Sequence, residues 1–308
     1  MRILICLLAA AALVVAVVGA ATGRFHRRID DEARALLASA RGTEARAVEA
    51  RDLDRLPAPV RRWLEVSGTV GRPRVTTVRL KQRGELRTAP DKPWMPVVAE
   101  QYFSVDPPGF VWRVDARMMR VLPIAGRDRY ADGHGNMLIK LASLITVADG
   151  AGPKMDQGAL LRFLGEIVWF PSAALSDTIT WEAIDARSAR ATMRHGGTSV
   201  SAVFTFGADG RFASLTADRY MGAGDGARLE KWFIPVTASR AVRGIDMPVR
   251  GNAFWKLATG DFDYYRWEVT DVEVNHPALY ADEPAPPPEV TPAVRLEATP
   301  APPAEATR

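Results

Sequence analysis

Along most of the chain, apolar residues recur at every second position. Val75–Leu80, Val97–Val105, Phe110–Asp115, Met119–Ile124, Met137–Val147 and Thr178–Ile184 alternate in this way, as do Ala189–His195, Ser199–Phe206, Phe212–Tyr220, Leu229–Thr237, Val249–Leu257 and Phe262–Val274. A period of two puts neighbouring side chains on opposite faces of a pleated strand, so each segment reads as a strand with one buried face. Turn formers separate them at Asp132-Gly133, Gly196-Gly197, Ala208-Asp209-Gly210 and Gly260-Asp261. The pattern predicts a mainly β fold: a single antiparallel meander of about 10–12 strands, too many for one flat open sheet, and therefore curled into a barrel or half-barrel or folded over as a sandwich.

Three stretches depart from that period. The first is an uncharged apolar run from Ile3 to Ala21, bracketed by Arg2 and by Arg24, Arg27 and Arg28. Coiled as a helix, it spans roughly 28 Å, close to the hydrocarbon thickness of a bilayer. A cleaved signal peptide, with Val18-Gly19-Ala20 as its exit, is the competing reading; the length of the run favours an uncleaved anchor over residues 1–28. Cys6, the only cysteine, lies too early in the run for a lipoprotein signal and permits no internal disulfide. Next, residues 29–51 are rich in Ala, Arg and Glu and predict a helical stalk broken near Gly42, and a second short helix starts near Leu56-Pro57-Ala58-Pro59 with Val60, Trp63 and Leu64 at helical spacing. The third is an internal helix over 156–169, with Asp156 as its expected N-cap and Pro171 as its stop. Leu160, Phe163, Leu164, Ile167 and Val168 share one face of it, with Gly158, Arg162 and Glu166 on the other.

Residues 52–280 then form one β-rich domain, and 281–308, with eight prolines and no aromatic residue, form a tail expected to be disordered. The formal charge of +4 shifts little once the ends are removed: four arginines in 1–28, and five acids against two arginines in the tail, leave 29–280 at +3. With no basic run, that balance argues against a nucleic-acid partner. The arginines behind the apolar run favour an inside orientation by strict count, whereas an N-terminal apolar segment ahead of a large domain is the layout of an exported, tethered protein; we place the domain on the extracytoplasmic face of an inner membrane.

Candidate chemistry centres on Arg162-Phe-Leu-Gly-Glu166, where Arg162 and Glu166 stand four residues apart. Such a pair is either a surface salt bridge or, beneath Trp169 and Phe170, the lining of a cavity for polar head-group contact or acid/base work. Trp255 belongs to a late aromatic concentration that packs a core or lines a curved sheet facing an acyl chain. His134 reads as part of a hairpin turn, and neither His195 nor His276 has a partner at ligand spacing. No metal and no cofactor is implied, and no Gly-x-Ser-x-Gly, His-Glu-x-x-His or Walker pattern occurs.

Five segments, LPAPVRRWLEVSG (Leu56–Gly68), VRLKQRGELR (Val78–Arg87), GFVWRVD (Gly109–Asp115), RFLGEIVWFPSAAL (Arg162–Leu175) and FWKLATGDFDYYRWEV (Phe254–Val269), resemble a bacterial family of unknown function over about residues 52–275. The resemblance supplies no activity. It points to Arg162, Glu166, Trp169 and Pro171 as positions to test. The resulting expectation is a membrane-tethered β domain holding a lipid or other amphiphile, with ligand-binding residues Arg162, Glu166, Trp169, Phe170 and Trp255. The alternatives are an envelope hydrolase using Glu166 with Arg162, and a structural or interaction protein.

Overall fold

A computed structural model describes residues 1–42, 46–119, 121–222 and 224–283. The strands are β1 (Thr77–Leu86), β2 (Met95–Ser104), β3 (Gly109–Met118), β4 (Leu122–Ala131), β5 (His134–Leu141) and β6 (Ile145–Gly150), followed after a helix by β7 (Ile179–Asp185), β8 (Ser188–His195), β9 (Thr198–Phe206), β10 (Phe212–Met221), β11 (Arg228–Val242), β12 (Ile245–Leu257) and β13 (Gly260–Val274). They form one 13-stranded sheet curled into a half-barrel, in the order β6-β5-β4-β3-β2-β1-β13-β12-β11-β10-β9-β8-β7. The mainly β expectation holds, with two local differences. Met137–Val147 is two strands, because Ala142 and Ser143 adopt left-handed backbone (φ 50° and 57°) and reverse the chain. Met119–Ile124 is strand only from Leu122, Met119 having left-handed backbone (φ 51°), and that strand runs on through the polar stretch to Ala131.

The chain walks outward from β1 to β6, crosses the concave face, and returns from β7 to β13, which pairs antiparallel with β1. Among the described residues β6 and β7 are therefore the two free edges, and no strand pairing joins them. The two arms meet instead at their hairpins: a Cβ added at Gly196 would lie 2.3 Å from the Gly133 Cα. Beside that contact, Tyr130 Oη and His195 Nδ1 are hydrogen-bonded at 2.8 Å. Burial holds the His195 imidazole below its ordinary value, with Asp106 and Asp132 acting weakly in the opposite sense. A depressed folded value means that this contribution to stability is present above about pH 6.5 and is lost as the pH falls through the lowered folded value. The thermal midpoint should therefore drop between about pH 7 and 5.5, and His195→Gln should flatten that part of the profile; an unchanged profile would remove His195 from the clasp.

Helix α1 (Arg2–Ser39) is continuous, so the expected anchor and stalk are one rod rather than two pieces, and it ends at Ser39, before Gly42. Its first half is unburied, and it is the one helix among the described residues long and apolar enough to cross a membrane. The second half is not a free stalk. Phe25, Ile29, Ala33, Leu36 and Leu37 pack on the convex side of the sheet against Tyr102, Val111, Ala125 and Leu138. The acids at the start of the expected stalk become ties to that face: Asp30 accepts from Arg113 (2.9 Å), and Glu32 pairs with Arg127 (3.0 Å). From Ala50 to Leu53 the chain is a single 3-10 turn, and residues 43–45 of the expected stalk lie outside the described residues.

Helix α2 (Ala58–Val66) carries two prolines at its start, Pro57 as N-cap and Pro59 within the first turn, where neither removes an intrahelical bond. It buries Val60, Trp63 and Leu64, and the Trp63 ring lies 5.7–6.4 Å from those of Trp181, Phe204, Phe206 and Phe212. At the far end, Asp282 bonds Arg34 (2.7 Å) and Glu283 bonds Arg79 (2.8 Å), so the expected tail begins later than residue 281. The rest of that tail, 284–308, lies outside the described residues.

Candidate functional site

Helix α3 (Pro153–Glu166) connects the two edge strands by running through the concave side of the sheet. It starts earlier than the sequence suggests: Gly152, with φ 94°, is the N-cap and Pro153 opens the first turn. Asp156 instead accepts the Gly135 N–H of β5 (2.7 Å). The helix winds more tightly into a 3-10 turn over Ile167–Trp169, and a second, Pro171–Leu175, follows. The expected apolar stripe of Leu160, Phe163, Leu164, Ile167 and Val168 is buried. So are Gly158 and Leu161, because a helix lying in a curled sheet has protein on nearly every side. Close approach is built in: a Cβ on Gly135 would meet the Met155 carbonyl at 2.6 Å and the Ala159 Cβ at 2.8 Å.

Burial around the whole helix changes the meaning of Arg162 and Glu166. They are not a solvated surface pair; each side chain is only 13% exposed. Arg162 donates through Nε to Glu166 (2.8 Å) and through Nη1 to Asp128 of β4 (2.7 Å), and its guanidinium lies over the rings of Phe110 (5.0 Å) and Trp112 (4.6 Å). The second Glu166 oxygen accepts from Gln101 Nε2 of β2 (2.7 Å). Burial lifts the Glu166 carboxyl above its ordinary value, and Arg162 and Gln101 pull it part of the way back. For Arg162, burial works against the charge, but Glu166 and Asp128 outweigh it and hold the guanidinium cationic. Nearby, the Tyr265 hydroxyl is buried with no hydrogen-bond partner among the described residues, and burial raises its pKa.

The other expected site residues are also interior. Trp169 donates Nε1 to the Pro248 carbonyl (3.1 Å) and meets Trp267 edge-on (5.6 Å). Phe170 packs on Phe103 (4.9 Å) and Phe163 (6.0 Å). Trp255 belongs to a different group, stacked on Tyr264 (5.7 Å), with the Arg219 guanidinium lying between it (5.7 Å) and Trp232 (4.9 Å). All five residues are therefore brought to the concave side beneath or beside α3, in two groups: Arg162, Glu166, Trp169 and Phe170 on or just after the helix, and Trp255 with Tyr264 and Trp232. Two cavities lie elsewhere. One, of about 500 Å³, is a groove on the convex side under α1, lined by Arg28, Glu32, Leu36, Pro107, Arg129 and Asp132 among others; the other, of about 10 Å³, sits beside Trp63. Neither is lined by Glu166.

Sequence reasoning missed Gln101 and Asp128, because residues 61 and 34 positions from Arg162 carry no local signal of their pairing. It also missed the convergence of His276 on Glu283 (2.8 Å) and Glu273. Both carboxylates already serve guanidiniums: Arg79 bonds both, and Arg243 bonds Glu273. That cluster reads as an ion-pair network.

A family model described as a family of unknown function, DUF6544, matches residues 46–267. The chain belongs to that family. No curated protein matches it. Among solved structures, it is similar to a domain classed with outer membrane lipoprotein-sorting proteins from Vibrio parahaemolyticus, at 11% identity and TM-score 0.40, over 67% of this chain and 88% of that one. A LolA superfamily protein from Nitrosomonas europaea gives 9% identity and TM-score 0.38, over 74% and 91%. A β-barrel-like protein of a second domain of unknown function, from Brucella abortus, gives 11% and 0.27, over 66% and 99%. At these scores the DUF6544 chain takes no function from any of the three.

Proposed function

We propose that this DUF6544 protein is a membrane-anchored binding protein for a lipid or similar amphiphile, held by α1 with its domain on the extracytoplasmic side, and that α3 is the movable element occupying the binding face when no ligand is present. The observation that carries the reading is that α3 plugs a sheet that hydrogen bonds do not seal. β6 and β7, the strands it joins, are both free edges, so the helix can leave the concave face without breaking any strand pairing. What it would uncover is apolar: Phe103, Phe110, Trp112, Leu215, Trp232 and Trp267 are all buried there. Among these apolar groups lies the Arg162–Glu166–Asp128–Gln101 network, and a desolvated ion pair is a weaker glue than the apolar packing it displaces. Once exposed, Arg162 would present a cation to the acidic or polar end of an amphiphile.

The test is a pair of measurements on the full chain. Native mass spectrometry should find co-purified lipid, and a fluorescent fatty acid should bind and be displaced by it. Arg162→Leu with Glu166→Leu replaces the buried pair by apolar packing and should lock α3 in place, raising the thermal midpoint while lowering fatty-acid affinity at least tenfold. Full binding by this double variant, or no binding by the native chain, overturns the reading.

A further inference from the structure

Six large apolar side chains on two adjacent turns are exposed: Met119 (78%), Val121 (75%) and Leu122 (41%) at the β3–β4 turn, and Leu144 (49%), Ile145 (61%) and Val147 (56%) at and beyond the β5–β6 turn. The turns are held together, since Ala142 N–H donates to the Pro123 carbonyl at 2.7 Å. An exposed apolar patch on a free edge strand is an aggregation liability that soluble domains normally blunt with charge or cover. This one lies at the foot of the apolar helix. Thr22, the first residue after the uncharged run, donates its hydroxyl to Ser143 Oγ in the β5–β6 turn at 3.0 Å.

We propose that these two turns are a second membrane contact, dipping into the face of the same bilayer that α1 crosses and seating the domain upright on it. The proposal rests on α1 being an anchor. The register between α1 and β3 sets the depth. His26 meets Asp115 (3.0 Å), and a Cβ on Gly109 would meet Leu36 (2.7 Å), so ten helical residues run alongside six strand residues. At about 1.5 Å per helical residue, each strand residue advances about 2.5 Å along the helix axis. Met119, four residues beyond Asp115, then reaches about 10 Å below His26, whereas Thr22 lies about 6 Å below it. The turn tip therefore passes the end of the apolar run by about 4 Å, into the bilayer. Around this level Arg24, Arg27, Arg28 and Arg117 are exposed, a cationic collar placed for anionic head groups.

The experiment uses the full chain with Cys6→Ser, reconstituted in phosphatidylcholine–phosphatidylglycerol vesicles, carrying a polarity-sensitive fluorophore on Val121→Cys, Ile145→Cys or, as control, His134→Cys, which is exposed at the other end of β5. Labels at 121 and 145 should emit blue-shifted light and be quenched by acyl-brominated lipid at least threefold more than the label at 134. If the protein floats with the vesicles but all three labels are quenched equally by aqueous iodide, the contact is overturned and the anchor stands. If the protein does not float, both fall. A blue shift that disappears as the protein is diluted into excess lipid assigns the patch to pairing between two copies at β6, which also overturns the proposal.

Discussion

Arg162→Ala should destabilise the domain by about 3–5 kcal/mol, because it leaves the Glu166 carboxylate buried without its cation. Urea unfolding of the detergent-solubilised chain measures it. The loss should shrink in acid. Burial already holds the Glu166 carboxyl above its ordinary value, and removing Arg162 takes away the group that pulls it down. A carboxyl with a raised folded value contributes most below its unfolded value near 4.3 and loses that contribution as the pH rises through the folded one. The variant should therefore lie closer to the native chain at about pH 4 than at pH 7. Arg162→Leu with Glu166→Leu should instead raise the thermal midpoint, although each single change lowers it, the non-additivity being the signature of a coupled pair. A loss below about 1 kcal/mol at neutral pH would mean that water reaches the pair, as at exposed salt bridges.

Trp63→Ala should cost a similar amount, about 3–5 kcal/mol, by a different cause: a large side chain leaves a cavity that its surroundings only partly fill. Trp63 is 2% exposed and surrounded by the rings of Trp181 and Phe204, with Phe206 and Phe212 completing the group. These residues come from strands at the β7 side of the sheet, whereas Trp63 comes from the helix preceding β1. The residue therefore ties the start of the domain to its far arm. Trp63→Phe should recover more than half of the loss, and its effect should not vary between about pH 4 and 7, which separates it from Arg162→Ala.

The strands were legible because alternation is a local signal: Ser199–Phe206 and Phe212–Tyr220 fall within β9 and β10 almost to the residue. Hairpins at Asp132-Gly133 and Gly196-Gly197 were readable for the same reason, since left-handed backbone selects those residues. The docking of α1 was also written in the chain: Phe25, Ile29, Ala33 and Leu36 or Leu37 repeat at three- and four-residue intervals. Their abundance of Ala and Arg neighbours hid the stripe. What no local pattern carries is which strands become neighbours, and hence that Gln101 and Asp128 meet Arg162. Of the two readings open for Arg162 and Glu166, a solvated surface pair or an interior one, the helical spacing could not choose, and the structure buries both side chains. A helical wheel tells which residues share a side; only the tertiary fold tells what lies there.

The pairing of β1 with β13 has a consequence for assembly. Val78 faces Val274 across the middle of the sheet, so the first strand made waits for the last before its inner neighbour arrives. Contacts so distant along the chain slow the search for the native state. A polypeptide cut short before residue 260 would present a long unsatisfied seam at its centre rather than at its margin. Such a fragment should be cleared or precipitate, and completion of the whole length becomes the checkpoint for a finished domain.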